Sequence, residues 1–540
     1  DQLSNTMVQD EFRQLESMAF MFPVLFLSVA AMIIYVMQKK LINNQRTLIG
    51  IMKALGYGSR RILWHYLMSS LAISLAGSVP AALGGYIIGS LMTSMYNTIY
   101  NIPSMKGARH LDVAFAGIII SAGVCMAAGY TAPRKVLGIM PAYAMRPEVP
   151  GSGKRLVLEK VSFIWKRFSF SWKMSIRNIF RNTQRTAITV MGIVFTIVFF
   201  MVSFFIIDST DYILNKHFLE LQNHDLKASF TSHLPYHSVL DISRIKGVRR
   251  SEPVLEIPAE IKSGWMKKDV MIVGIGENNS FYKLTDIKNR PLAIPAEGVL
   301  VAHTLAEKLH IKPGDTISVK YYLGDTEDKH IKVAGITRQY SGMNCYMNIS
   351  ELSRATGEGK LATGALIRVK GGMTGVVKEE LLKIPGISSI EIRLDAYEDF
   401  KGMLELMYSF VAIMILFGTV MGFAIIFNTT VINITERQRE LASLKVLGYT
   451  HKEIERSIFR ENLILGAAAM VPGVITGKLI CGIFARQFSM EMLSLEVIIN
   501  PSTYAITFAS VFLFIILALR ANRKSIRTLD MIETLKSIEA

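Results

Sequence analysis

The chain has 540 residues, of which 51% are hydrophobic, and a formal net charge of +17. A soluble globular protein rarely joins so much apolar surface to so large a charge imbalance, whereas a membrane protein does so when its basic residues gather on one side of the bilayer. That gathering beside apolar stretches argues against a nucleic-acid-binding protein, and three scattered cysteines (Cys125, Cys345 and Cys481) form neither a disulfide framework nor a zinc spacing.

Asp1 opens without Met and without a basic-plus-apolar signal segment; the first 17 residues are polar and mildly amphipathic, so the front of a longer protein is expected to be missing. A membrane-crossing helix needs roughly 20 mostly apolar residues. Seven stretches meet this, near 18–37, 64–90, 111–131, 187–208, 404–431, 459–484 and 503–520. Residues 38–63 carry Lys39, Lys40, Arg46, Lys53, Arg60 and Arg61 with no acid, residues 132–186 carry twelve basic residues against Glu148 and Glu159, and Arg520, Arg523, Lys524 and Arg527 follow the last stretch. Short basic loops stay in the cytoplasm. The chain therefore starts outside and ends inside, with 91–110 and 485–502 outside.

Residues 209–403 fall outside too. They hold 26 basic and 24 acidic residues, too balanced for a topology signal and typical of a folded domain. Val299–Ala302, Thr316–Tyr322, Lys332–Ile336 and Ala365–Val369 read as strands, and His303–Leu309, Val239–Ile245 and Val376–Ile384 as short helices. Lys312-Pro-Gly-Asp315 reads as a turn. The expected fold class is a polytopic α-helical membrane protein with a mixed α/β extracytoplasmic domain. Its parts are a first membrane half at 1–147, a basic cytoplasmic linker and amphipathic helix at 148–186, a fourth span at 187–208, the external domain at 209–403 and a second membrane half with a cytoplasmic tail at 404–540.

The chain repeats itself at an offset of 392. Lys53, Leu55, Gly56 and Tyr57 map onto Lys445, Leu447, Gly448 and Tyr449, in the loop after the first span of each half. Pro80 maps onto Pro472, so each half is expected to carry one proline-kinked span. Ala132-Pro-Arg-Lys135 and Ala521-Asn-Arg-Lys524 end the halves similarly. The fourth span and its external domain should then have a counterpart ahead of residue 1. In the first loop Leu48, Ile51, Met52 and Leu55 fall at i, i+3, i+4 and i+7, an apolar stripe, with Gly56 placed to end the helix. Such a helix can bury its stripe in lipid headgroups or dock in a groove on a soluble partner. Before the fourth span, Arg177, Arg181 and Arg185 recur every four residues beside Ile176, Ile179 and Phe180, the pattern of a helix lying flat on an anionic inner leaflet.

The Arg-Asn-Ile-Phe-Arg-Asn-x-x-Arg-Thr run at 177–186, the two Lys-x-Leu-Gly-Tyr loops and the Arg-Lys exits resemble those of an FtsX-like permease of the MacB type, the membrane subunit of a type VII ABC system. Glu297-Gly-Val-Leu-Val-Ala-His-Thr-Leu-Ala-Glu-Lys-Leu-His-Ile-Lys-Pro-Gly-Asp315 and Val333-Ala-Gly-Ile336 are similar to that family's periplasmic core. The chain departs from most such members by holding two halves, and from a complete double permease by lacking a first span and first external domain. The resemblance implies a multi-pass protein of the bacterial plasma membrane with no catalytic residue and no cofactor of its own. ATP and Mg would be bound by a separate cytoplasmic ABC ATPase, a dimer under one permease chain. Lys53, Leu55, Gly56, Tyr57, Lys445, Leu447, Gly448 and Tyr449 would couple to it, and movement would pass to the external domain.

The sequence has no phosphate-binding Gly-x-x-x-x-Gly-Lys-Ser/Thr loop; Gly473-Val-Ile-Thr-Gly-Lys-Leu479 has its glycines one residue too close and reads better as a close helix contact. His233 and His237 have a metal-ligand spacing, but Pro235 between them opposes the helix that would align them, and no metal site is assigned. His303, His310 and His330 read as surface residues, and Tyr340, Met343 and Tyr346 around Cys345 as a loop packing on the domain rather than a substrate site. The spans offer few charges and no midplane carboxylate, which argues against a hydrophilic channel and a secondary transporter. Two readings follow: export or extraction of an amphipathic peptide, lipid or lipoprotein, or mechanotransmission to an extracytoplasmic partner with no cargo.

Overall fold

The computed structural model describes residues 3–100, 111–137, 140, 166–167, 169–181, 183–323, 327–340, 342–357, 359–488 and 495–527. Lys106, Arg109, residues 148–165 of the linker, the side chains of Lys135 and Arg185 and everything beyond 527 lie outside the described residues. The chain divides into two units, one of residues 1–203, 412–480 and 501–540, the other of residues 204–411 and 481–500.

The first unit is helical. In chain order it opens with α1 (Leu3–Asn44), α2 (Arg46–Ala54), α3 (Ser59–Tyr100), α4 (Leu111–Leu137), α5 (Phe170–Arg181) and α6 (Thr183–Leu214), the last of which continues into the other unit. The long helices run past the apolar stretches at their ends. Pro80 lies within uninterrupted helix α3 and removes one backbone bond there.

The second unit is the α/β domain. Its strands are β1 (Leu226–Pro235), β2 (Val248–Ser263), β3 (Met266–Ile275), β4 (Val299–Ala302), β5 (Thr316–Tyr321), β6 (Lys329–Thr337), β7 (Cys345–Asn348), β8 (Leu361–Val369) and β9 (Ile387–Ile392). Between them lie α7 (Ser238–Ile242), α8 (His303–Lys308), α9 (Ile349–Thr356) and α10 (Thr374–Leu382), and α11 (Arg393–Met403) follows. The pairings β2–β3, β3–β7, β7–β4, β4–β6, β6–β5 and β5–β2 close a six-stranded ring, and β2 continues into a second sheet with β8, β1 and β9. Closure leaves that ring no free edge. β2 serves both sheets by changing partners along its length, pairing with β8 up to Val254 and with β3 from Leu255. In β5, Ile317, Val319 and Tyr321 are buried and alternate with less buried residues, the period-two pattern of a half-covered strand. β4 is buried on both faces, which is why it reads as the unbroken apolar run Val-Leu-Val-Ala.

Burial pushes the Cys345 thiol up to about 12, so it is packing rather than a nucleophile. Tyr340 and Tyr346 are buried beside it in sequence, in keeping with the loop-packing reading. His310 and His330 are exposed, but His303 is half-buried, and its Nδ1 accepts a bond from the Gln339 backbone N–H at 3.4 Å. His224 is buried, and loss of hydration holds its imidazole down to about 3, so it is neutral. Within the same unit Arg338 grips Glu496 with two parallel bonds, stacks over Tyr340 at 5.4 Å and donates to Asn289 Oδ1 at 2.8 Å. Asp208, on the continuation of α6, accepts from the backbone N–H and the side chain of Asn500 at 2.8 and 2.9 Å. The 495–500 segment is therefore tied both to β-domain residues and to α6.

The first unit resumes with α12 (Glu405–Glu436), α13 (Gln438–Val446), α14 (His451–Phe488) and α15 (Pro501–Arg527). Element boundaries obey the 392 offset: α1 and α12 end at equivalent residues, α2 and α13 match at both ends, and α3 and α14 begin together. Pro472, like Pro80, lies inside an unbroken helix. Seven helices among the described residues are long and apolar enough to cross a membrane. The most apolar window of α3 is 6% buried and that of α14 is 28% buried, a difference α6 accounts for. A Cβ built on Gly418 or Gly422 of α12 would stand 2.4 Å from Phe199 or 2.5 Å from Thr196 of α6. On α14, a Cβ at Gly473 or Gly477 would stand 2.8 Å from Ile197 or 2.6 Å from Met201. α6 is thus seated between two Gly-x-x-x-Gly faces, one of which, Gly418–Gly422, carries no mark in the sequence reading.

Candidate functional site

The two loop helices, α2 and α13, form equivalent feet. Each ends in the same way. The Gly56 N–H donates to Lys53 O at 3.1 Å and the Tyr57 N–H to Met52 O at 3.0 Å; Gly448 and Tyr449 repeat this onto Lys445 O and Leu444 O at 3.1 and 3.0 Å. This paired closure of the last helical carbonyls needs a left-handed residue, and Gly56 and Gly448 sit at φ 89° and 92°. A side chain there would be strained although nothing lies within 4 Å to obstruct it. The turn thrusts Leu55 and Leu447 outward, 73% and 75% exposed.

Beneath each foot the same four positions make an apolar seat. Ile42, Ile49, Ile62 and Tyr66 cluster in the first half, and Ile434, Leu441, Ile454 and Ile458 occupy the equivalent positions in the second. Met52 and its counterpart Leu444 pack on their respective clusters. Each fully buried aliphatic contributes roughly 1.5–3 kcal/mol relative to exposure in water. One turn earlier, a polar bond crosses between helices at one register in both halves: Gln38 Nε2 to Ser70 Oγ at 2.9 Å, and Asn462 Nδ2 to Thr430 Oγ1 at 3.2 Å. The residues differ and the crossing is kept.

These contacts correct the single apolar stripe expected on α2. Ile49 is buried and Met52 faces the seat, while Leu48, Ile51, Leu55 and Tyr57 face outward. The helix has two apolar faces, one satisfied by its own half and one exposed.

The feet also differ. Tyr66 donates its hydroxyl to Gln45 Oε1 at 2.7 Å in the first. The equivalent of Gln45 is Arg437, whose Nη1 meets Glu461 Oε2 at 2.6 Å with both residues buried, at 2% and 1% exposure. Arg437 Nε also reaches Glu440 Oε2 at 3.1 Å, and Arg181 of α5 pairs with Glu440 from the other side. Arg181–Glu440–Arg437–Glu461 is therefore a continuous charge chain into the second half. In the first half Glu440 and Glu461 are replaced by Leu48 and Ser69. Few charges are buried in the helical unit, as expected: among its described residues the first half buries none and the second buries the pair Arg437–Glu461, each charge partnered by the other.

α5 is better packed than a helix lying flat on lipid. Ile176 and Ile179 are buried, and Trp172 lies under the Arg460 guanidinium of α14 at 5.7 Å. Arg177 and Phe180 are exposed, so Phe180 does not join the apolar side expected of it. Lys53 and Lys445 are half-buried and sit one turn from each glycine. His233 and His237 are exposed on β1 and just before α7, and no three potential metal ligands converge among the described residues. Lys478 is exposed with its ammonium over the Tyr504 ring at 5.7 Å.

Residues 20–139 and residues 412–531 each match the FtsX-like permease C-terminal domain, and the two matches stand at the same 392 offset as the feet. No curated protein matches the chain. Among solved structures, the periplasmic region of MacB from Actinobacillus actinomycetemcomitans is similar at 15% identity, covering 34% of this chain and 97% of that one with a TM-score of 0.26. The extracellular domain of the noncanonic ABC-type transporter YknZ from Gram-positive bacteria is similar at 13% identity, covering 32% of this chain and 99% of that one with a TM-score of 0.23.

Proposed function

We propose that this chain, an FtsX-like permease carrying the family's domain twice, couples ATP hydrolysis by a separate cytoplasmic ATPase to movement of its extracytoplasmic α/β domain. The observation that carries this reading is the pair of feet: two glycine-closed helix ends on equivalent apolar seats, each thrusting one leucine outward. Lys53, Leu55, Gly56 and Tyr57, with Lys445, Leu447, Gly448 and Tyr449, contact the ATPase, a dimer spanning both feet that holds ATP and Mg itself. The chain lies in a bacterial plasma membrane with residues 209–403 outside and the C-terminus inside. α5, with Arg177 and Arg181, lies at the inner surface, Arg185 follows it, and Pro80 and Pro472 mark equivalent kinks. The work done is export or extraction of an amphipathic peptide, lipid or lipoprotein. A second reading, control of an external partner with no cargo, is favoured by the close apolar seat of α6, which suits transmitted motion better than a passage.

The test is ATP hydrolysis by the cognate ATPase with the chain in liposomes. Replacing Gly56→Val and Gly448→Val forces a β-branched side chain into the left-handed region at both turns. Stimulation of hydrolysis should fall at least about tenfold, with the chain still inserted. Stimulation equal to that by the native chain would sink the coupling assignment.

A further inference from the structure

The two feet share their tips and differ along their flanks. At the positions two turns and one turn before the tip, the first foot presents Leu48 and Ile51, 52% and 43% exposed. The second presents Glu440 and Ser443 at the equivalent positions. Leu48, Ile51 and Leu55 thus form an outward apolar ladder at i, i+3 and i+7, a surface that fits a groove on a partner. The second ladder is polar until Leu447, and Glu440 is already engaged by Arg437 and Arg181. A lipid surface would not explain why both tips keep Lys-x-Leu-Gly-Tyr; one recurring protein surface meeting both tips does.

We propose that the feet are unequal docking sites for the ATPase: the first holds one subunit through the Leu48–Ile51–Leu55 ladder, and the second engages the other subunit mainly through its tip while remaining tied to α5 through Glu440–Arg181. This rests on the coupling reading above and adds to it that binding strength resides in the first half. The second half instead carries the charge chain from foot to α5 and α14. An ATPase bound in this way is held asymmetrically even when its two subunits are identical.

The experiment exchanges the flanks in the full chain, held in nanodiscs, and measures the Kd of the purified ATPase. Leu48→Glu with Ile51→Ser gives the first foot the second's residues and should weaken binding at least about tenfold. Glu440→Leu with Ser443→Ile does the reverse and should leave binding unchanged or tighter. Leu48→Ser with Ile51→Ser adds no charge, serves if the first exchange does not fold, and should weaken binding in the same direction. Equal losses from both exchanges, or an unchanged Kd for the first, would overturn the inequality. ATPase that fails to bind even the native chain would instead reject the coupling reading.

Discussion

Arg437→Ala is expected to destabilise the second foot by about 3–5 kcal/mol, because it leaves Glu461 charged, buried and without its guanidinium. The measurement is thermal unfolding of the detergent-solubilised chain, compared with a variant in which Arg437→Met and Glu461→Leu remove both charges together. That double change should recover most of the loss, since two apolar residues of similar volume avoid the desolvation cost. The first foot offers the internal contrast. Gln45, at the position equivalent to Arg437, accepts a neutral bond from the Tyr66 hydroxyl, and Gln45→Ala should cost about 1 kcal/mol. Similar losses at Gln45 and Arg437 would show that the buried ion pair is not what holds the second foot.

The second large effect lies in the seat of α6. Gly418→Ala and Gly422→Ala each add a methyl group where Phe199 would stand at 2.4 Å or Thr196 at 2.5 Å. Overpacking of this kind costs about 1–3 kcal/mol per site. Unfolding of the double variant should shift accordingly, whereas Gly85→Ala and Gly89→Ala, with nothing within 4 Å, should be nearly silent. Phe199→Ala in the Gly418→Ala background should cost less than the sum of the two single changes, since the void left by the ring accepts the methyl. Additive losses would mean that the clash is relieved elsewhere.

How far the sequence reveals this protein depends on whether a feature is local. The membrane class, the α/β insertion and the internal repeat are all legible, because each rests on composition, on short periodic runs or on a motif stated twice. The glycine ends of the feet are legible for the same reason: a left-handed closure involves residues within one turn. The seats are only half legible. Ile49 and Leu48 are adjacent aliphatics on one short helix, and nothing local says which of them is covered; Ile62 and Tyr66 of α3 decide it. The charge chain is almost hidden. Arg181 and Glu440 stand 259 residues apart, and Arg181 also belongs to a ridge of three arginines at four-residue spacing that looks like a lipid contact. The one local trace of the charge chain is that the repeat replaces Leu48 and Ser69 by Glu440 and Glu461.

The strands divide likewise. β4 and β5 announce themselves through apolar runs or strict alternation. β2 does not, because Pro253 and Pro258 interrupt it and charged residues recur along it; its partners β8, β3 and β5 are what keep it extended. Small-residue spacing at Gly473 and Gly477 correctly signals a close helix approach, but the arriving helix, α6, can be named only from the fold.

The central claim is that Leu55 and Leu447 touch a cytoplasmic ATPase. A photo-crosslinking residue placed at each position, in the full chain co-expressed with that ATPase, tests it most directly. Adducts with the ATPase from both positions are the result expected; an inserted chain that forms adducts from neither would contradict it.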